Sequence, residues 1–302
     1  MKSIKILLPS ILSLLYASKR NSLIFCFAII SIVACKKDKK EIEIAINTGA
    51  DNGQAETEMN ALFLCGNDFA SIYKTNDSAK VIPAATKIIV LDSNFNTNDG
   101  IHFIIDFGLL GAKSPFGMLC LDGRYRAGKI YGILSKPFME IGSVLTLMAL
   151  DSNQYRSGNG KDMYHIIGTK SITRTADNQW EVKINDANII DNAKKVILWS
   201  CNRVITKTKD AGIGVQGDVF SITGSGSGTA KSGEKFTVNI IKELIKNMSI
   251  GCASTFIDGV IEIKNIDKNA TILLDFNPYN DAACDRVAKA TIGKREKIFY
   301  IL

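Results

Sequence analysis

Ile101-His102-Phe103-Ile104-Ile105-Asp106-Phe107 is apolar or β-branched at nearly every place, and Gly100 and Gly108 bound it. A run this short, closed by turn residues, reads as a β-strand. The same language recurs on both sides. Lys87 to Leu91 precedes it, separated by a turn cluster of Asp, Ser, Asn and Gly over 92–100. After a long loop holding Pro115 and Gly117 come Lys129 to Leu134, Gly142 to Leu150, Met163 to Ile172 and Trp180 to Ile184. Then follow Val196 to Ile205, Val219 to Thr223, Phe236 to Ile241, Val260 to Lys264, Thr271 to Phe276, Val287 to Ile292 and Ile298 to Leu302. Short strands at intervals of about 10–20 residues, parted by Gly, Asn and Asp, predict a mainly antiparallel β fold. Gly224 to Gly233 reads as a flexible hairpin loop, and Glu243 to Met248 as one helical turn.

Two echoes point to two related β halves. Phe103 to Phe107 running on to Cys120 and Asp122 parallels Ile272 to Phe276 running on to Cys284 and Asp285. Tyr164 to Thr169 parallels Phe220 to Ser225. Chance similarity between strands explains the echoes as well. Ahead of the strands, Met59, Leu62, Phe63, Phe69, Ile72 and Tyr73 recur at threes and fours, so Gln54 to Tyr73 is expected to be helical, with a break at Gly66. Glu41 to Asn47 alternates and reads as a short strand or extended tether ended by Gly49 and Gly53. The expected organisation is a signal over 1–34, a tether over 35–53, a helix with the first β half over 54–190, and the second half over 191–302.

The N-terminus carries the clearest functional pattern. Lys19-Arg20 is followed by an apolar run, Ser22 to Ile32, and then by Ile32-Val33-Ala34-Cys35. A run of about 7–15 apolar residues ending at small residues is a secretory signal, and a membrane span needs about 20. The earlier apolar stretch, Ile6 to Tyr16, does not extend it, because one helix through both would bury Lys19 and Arg20 at about 2.5–3.5 kcal/mol each. Either the basic region is long, or translation starts downstream of Met1. Ile32 to Cys35 resembles the bacterial lipobox. The resemblance implies a diacylglyceryl thioether on Cys35, cleavage before it, and a third, palmitate-class acyl chain on its amine. Several acyl chains hold a protein to a bilayer where one is marginal. Lys36 stands where an inner-membrane retention signal would place Asp, which favours the outer membrane. The tether Lys36 to Glu41 is mostly basic, so the periplasmic and surface faces both stay open.

Removing residues 1–34 from 302 leaves 268, enough for one large domain or two small ones. That segment holds four basic residues and no acids, so 33 basic and 30 acidic residues remain, net +3. A balance this close to neutral argues against nucleic acid as a partner. Cys26 goes with the signal and Cys35 is acylated. Cys65, Cys120, Cys201, Cys252 and Cys284 are left, an odd number with no Cys-x-x-Cys spacing, which argues against a redox motif or zinc ribbon.

Several segments together resemble an uncharacterised family of exported Bacteroidetes lipoproteins. They are Ile105 to Gly108, Cys120-Leu121-Asp122-Gly123-Arg124-Tyr125-Arg126 with Gly128 to Ile130, Gly142-Ser143-Val144, Phe220 to Gly224 with Phe236 to Val238, and Gly251-Cys252, Asp258-Gly259, Leu274 to Phe276 and Cys284-Asp285. The chain departs from that pattern at Asn277-Pro278-Tyr279 and at Lys294-Arg295-Glu296. The resemblance implies an elongated β-rich exported protein and a Cys252–Cys284 disulfide, and it supplies no activity. Cys65, Cys120 and Cys201 are left unassigned.

No catalytic constellation and no cofactor are expected. His102 and His165 each lie in an expected strand, and no Gly-x-Ser-x-Gly elbow accompanies them. Asp92 to Gly100 alternates oxygen donors, but Thr97 and Phe103 stand where an EF-hand needs Gly and Glu. It is an Asx-rich turn or a different calcium turn, and no metal site is assigned. Asp122, Arg124 and Arg126 form a candidate ligand contact: extended, the two arginines point one way and fit a carboxylate or sulfated sugar, or tie loops together. Trp180 and Trp199 read as core, with sugar stacking the alternative. The expected function is a membrane-anchored cell-envelope lipoprotein with a binding or structural role, partnered by the bilayer through Cys35 and by an envelope protein or glycan. One alternative is a carbohydrate-processing enzyme using paired carboxylates such as Asp106 and Asp122. The other is a self-assembling surface fibre subunit joined through strand edges.

Overall fold

A computed structural model of the chain describes residues 39–40, 42–62, 87–92, 95, 100–112, 114–120, 123–211, 217–249, 252 and 256–300. The signal, Cys35, Cys65 and Asp122 lie outside the described residues. Ala45–Leu302 forms one compact unit; in Met1–Ile44, residues 39–40 and 42–44 are helical.

Among the described residues, sixteen strands make a single antiparallel sheet. In chain order they are β1 (Lys87–Asp92), β2 (Ile101–Asp106), β3 (Met118–Leu119), β4 (Tyr125–Ala127), β5 (Lys129–Leu134), β6 (Val144–Ala149), β7 (Arg156–Gly158) and β8 (Met163–Ala176). They continue as β9 (Gln179–Ile190), β10 (Val196–Lys209), β11 (Val219–Thr229), β12 (Lys235–Asn247), β13 (Asp258–Asn265), β14 (Ala270–Asp275), β15 (Val287–Ile292) and β16 (Arg295–Tyr300). The pairing order is β1-β2-β5-β6-β8-β9-β10-β11-β12-β13-β14-β15-β16, and off this path the short β7 pairs with β8, β4 with β7 and β3 with β4. The mainly antiparallel β class expected from the sequence is what the chain adopts. The sheet runs without interruption through 190–191, where Ile190 pairs with Val196.

The strands form where alternation gives one greasy face. Ile101, Phe103 and Ile105 of β2, Leu145, Leu147 and Ala149 of β6, and Ile261 and Ile263 of β13 all point to the core, while their neighbours stay partly exposed. Irregularities reset the alternation in the longest strands. Between β9 and β10 the register slips at Trp199/Cys201, so the buried set moves from Ile184 to Ala187.

Helix α1, residues 42–62, covers the buried face. Here the structure corrects the sequence reading twice. The segment 42–53, read as strand and tether, is helical, and the helix thus starts well before Gln54. The alternating glutamates and isoleucines mislead because the decisive face is small and polar: Ala45, Thr48, Asn52, Ala55, Met59 and Leu62 are all buried at helical spacing. Gly49 does not break the helix, and it lies against Ile272 and Ile263 at a distance where an added Cβ would make ordinary van der Waals contact.

Two further expectations fall. Glu243 to Met248 is not a helical turn, since β12 runs on to Asn247, paired with Val219. Gly224 to Thr229 is strand β11, and only 230–234 turns. Glycine is needed there for closeness: a Cβ on Gly224 or Gly228 would strike the carbonyls of Asn202 or Leu198 on β10.

Candidate functional site: charges buried under the helix

Most of what α1 covers is hydrocarbon, but the strands beneath it also carry four cations. Arg124 precedes β4, Arg126 is within it, Lys170 is on β8 and Arg203 on β10. Each reaches the helix. Arg124 pairs through Nη2 with the fully buried Glu58 carboxylate, and its Nε donates to Ser157 Oγ at 3.4 Å. Gln54 supports the same carboxylate at 2.6 Å. Arg203 Nη2 lies 3.3 Å from Glu56 Oε1. Arg126 donates to the carbonyl of Ala61 at 3.3 Å, and Lys170 Nζ to that of Met59 at 3.1 Å and to Asn60 Oδ1 at 3.4 Å.

Lys170 and Arg126 meet main-chain carbonyls at Met59 and Ala61, while Arg124 and Arg203 meet the carboxylates of Glu58 and Glu56, so each cation is matched by negative or partial negative charge on α1. Three further contacts continue the row toward the helix start: Trp199 Nε1 donates to Asn52 Oδ1 at 2.9 Å, the backbone N–H of Lys231 to the Asp51 carboxylate at 2.9 Å, and Asn265 Nδ2 to Thr48 Oγ1 at 2.9 Å.

Burial sets the protonation of this layer. Removal from water pulls Lys170 down to about 8, partly offset by Cys201 and Glu56. The same cause pushes the buried Cys201 thiol up to about 11, against the pull of Arg203 and Lys170. A thiol held protonated is a poor nucleophile. Tyr164 beside the cluster is raised by burial and by Asp162, Glu58 and Asp191. Arg203 Nε and Nη1 and Glu58 Oε2 are buried without a hydrogen-bond partner among the described residues.

Of the ligand-contact candidates, Arg124 and Arg126 do point one way, and both are engaged by α1; Asp122 lies outside the described residues. Asp106, proposed as half of a carboxylate pair, accepts the N–H of Gly108 at 2.9 Å and lies 3.4 Å from Lys129. His102 meets Tyr131 through Nδ1, and the buried His165 lies 3.5 Å from Asp151, its pKa lowered chiefly by burial. Trp199 is core, and Trp180 stacks under Arg174 at 5.7 Å. Cys252 and Cys284 are bonded, their Cα atoms 4.9 Å apart, while Cys120 and Cys201 are buried. No group of metal-ligating side chains occurs among the described residues. Lys170, Arg203 and Glu58 were missed because a lone charge in a strand or helix reads as solvated. The signal available was Lys170, Arg174 and Arg203 standing at inward places of the strand alternation. No protein family, curated protein or solved structure matches the chain.

Proposed function

We propose that this protein is a cell-envelope lipoprotein, held at the outer membrane by acyl chains on Cys35, whose sheet serves a binding or structural role. The observation that carries the reading is Ile32-Val33-Ala34-Cys35 closing an apolar run that is too short to span a bilayer. The charges beneath α1 support a scaffold over acid–base chemistry, because Arg124, Arg126, Lys170 and Arg203 all hold the helix to the sheet. Among the described residues no helix is long and apolar enough to cross a membrane.

The test is fractionation of cells making the native chain or Cys35→Ser. The native protein sediments with membranes and its mature N-terminus has the mass of an acylated cysteine. Cys35→Ser loses both. Membrane association unchanged by the substitution would end the proposal. In-cell crosslinking from the sheet then identifies the envelope protein or glycan bound.

A further inference from the structure

Strand register assigns every connection to one of two ends of the sheet. Asp106 closes β2 opposite Lys129, which opens β5, and Ala149 closes β6 opposite Gly168 of β8. Ile190 pairs with Val196, Thr229 with Lys235, and Asn265 with Ala270. The segments 107–124 and 150–162 and the turns 191–195, 230–234, 266–269 and 293–294 therefore share one end. The connections 93–100, 135–143, 177–178, 210–218, 248–257 and 276–286 share the other.

The first end differs from the second in charge, and its exposed apolar residues cluster on one connection. Leu109, Leu110, Phe116 and Leu119 stand on one connection there, exposed by 74%, 45%, 42% and 56%. Leu150 and Ile266 are exposed on its neighbours. Lys161, Lys194, Lys195, Lys268 and Lys294 ring the same end and are exposed. Acids stand there too, Asp151 and Asp162 among them exposed, but they are fewer than the basic residues. Asp191 accepts the N–H groups of Ala193 and Lys195 at 2.9 Å, and Asp267 accepts that of Lys235 at 2.6 Å. The opposite end also carries exposed Leu91, Met139, Ile141, Tyr279 and Tyr300, and there the exposed acids Glu140, Asp177, Asp210, Asp281 and Asp285 outnumber the exposed Lys136, Lys209 and Arg286.

The entry of the helix falls at the basic end as well. Thr48 meets Asn265 and Asp51 meets Lys231, both at turns of that end. Only ten residues separate Cys35 from Ala45, where the compact unit begins. Ten residues reach at most about 35 Å. A 14-residue strand such as β10 is longer than that, at about 46 Å.

We propose that the connection bearing Leu109, Leu110, Phe116 and Leu119, with the lysines around it, is a second, non-covalent contact with an anionic lipid surface. It rests on the reading of Cys35 as the anchor and adds the orientation in which the sheet stands. Apolar side chains enter the acyl boundary while lysines meet the headgroups, and the acidic end faces away.

Full-chain protein purified from membranes is reconstituted into vesicles of phosphatidylethanolamine and phosphatidylglycerol, with plain or brominated acyl chains. Phe116→Trp and Met139→Trp report the two ends. The expected result is loss of the added emission of Phe116→Trp in brominated vesicles, no loss for Met139→Trp, and recovery when Leu109→Asp and Leu110→Asp are added to Phe116→Trp. Equal emission of Phe116→Trp in plain and brominated vesicles overturns this inference alone, provided the protein floats with them. Native protein that fails to float overturns the anchor and this contact together.

Discussion

Glu58 shows how a single charge is tolerated at zero exposure. Its carboxylate is matched by Arg124 and Gln54, so removing one partner costs far more than removing the pair. Arg124→Ala is expected to destabilise the protein by about 3–5 kcal/mol, and the Arg124→Leu, Glu58→Leu double variant by near zero, both read from urea unfolding. Lys170 makes a pH prediction. Its folded pKa of about 8 lies below the unfolded 10.5, so between those values the unfolded chain holds more protons and stability rises with pH. Cys201 acts in the opposite sense between 9 and about 11, where the folded state keeps the proton longer. The native protein should therefore gain stability from pH 8 to 9, and Lys170→Met should lose that gain in parallel urea titrations.

At the level of elements, β2 and β5 interlock through one missing side chain. A Cβ on Gly132 would enter the ring of Phe103. Gly132→Ala is expected to cost about 1–3 kcal/mol by thermal unfolding, and Phe103→Leu to recover part of it. The same pair illustrates what was legible. Lys129 to Leu134 and Val287 to Ile292 were readable to the residue, because β-branched alternation between glycines and charges admits one interpretation. The Gly-Ser repeat of β11 was not, since glycine placed for backbone approach has the same letters as glycine placed for a loop. Helix α1 was misplaced for a related reason. Besides Met59 and Leu62, its buried face is Ala, Thr, Asn and Glu, and such residues declare a core only once the facing sheet supplies their partners.

Across the whole unit, neighbouring strands are for the most part neighbours in sequence, so the antiparallel class was evident from spacing alone. The candidate site was not, because it is assembled from residues far apart: Glu58 meets Arg124, Met59 meets Lys170, and Thr48 meets Asn265. That last bond joins positions 217 apart. A ribosome makes the helix first and its final seat nearly last, so α1 must wait, uncovered, while the strands hairpin one after another behind it. Any chain that stops short of β13 is born with the first turns of that helix unseated, since Thr48 and Gly49 meet β13 and β14. Such a fragment advertises its own incompleteness to proteases, and only the full-length product can hide the flag.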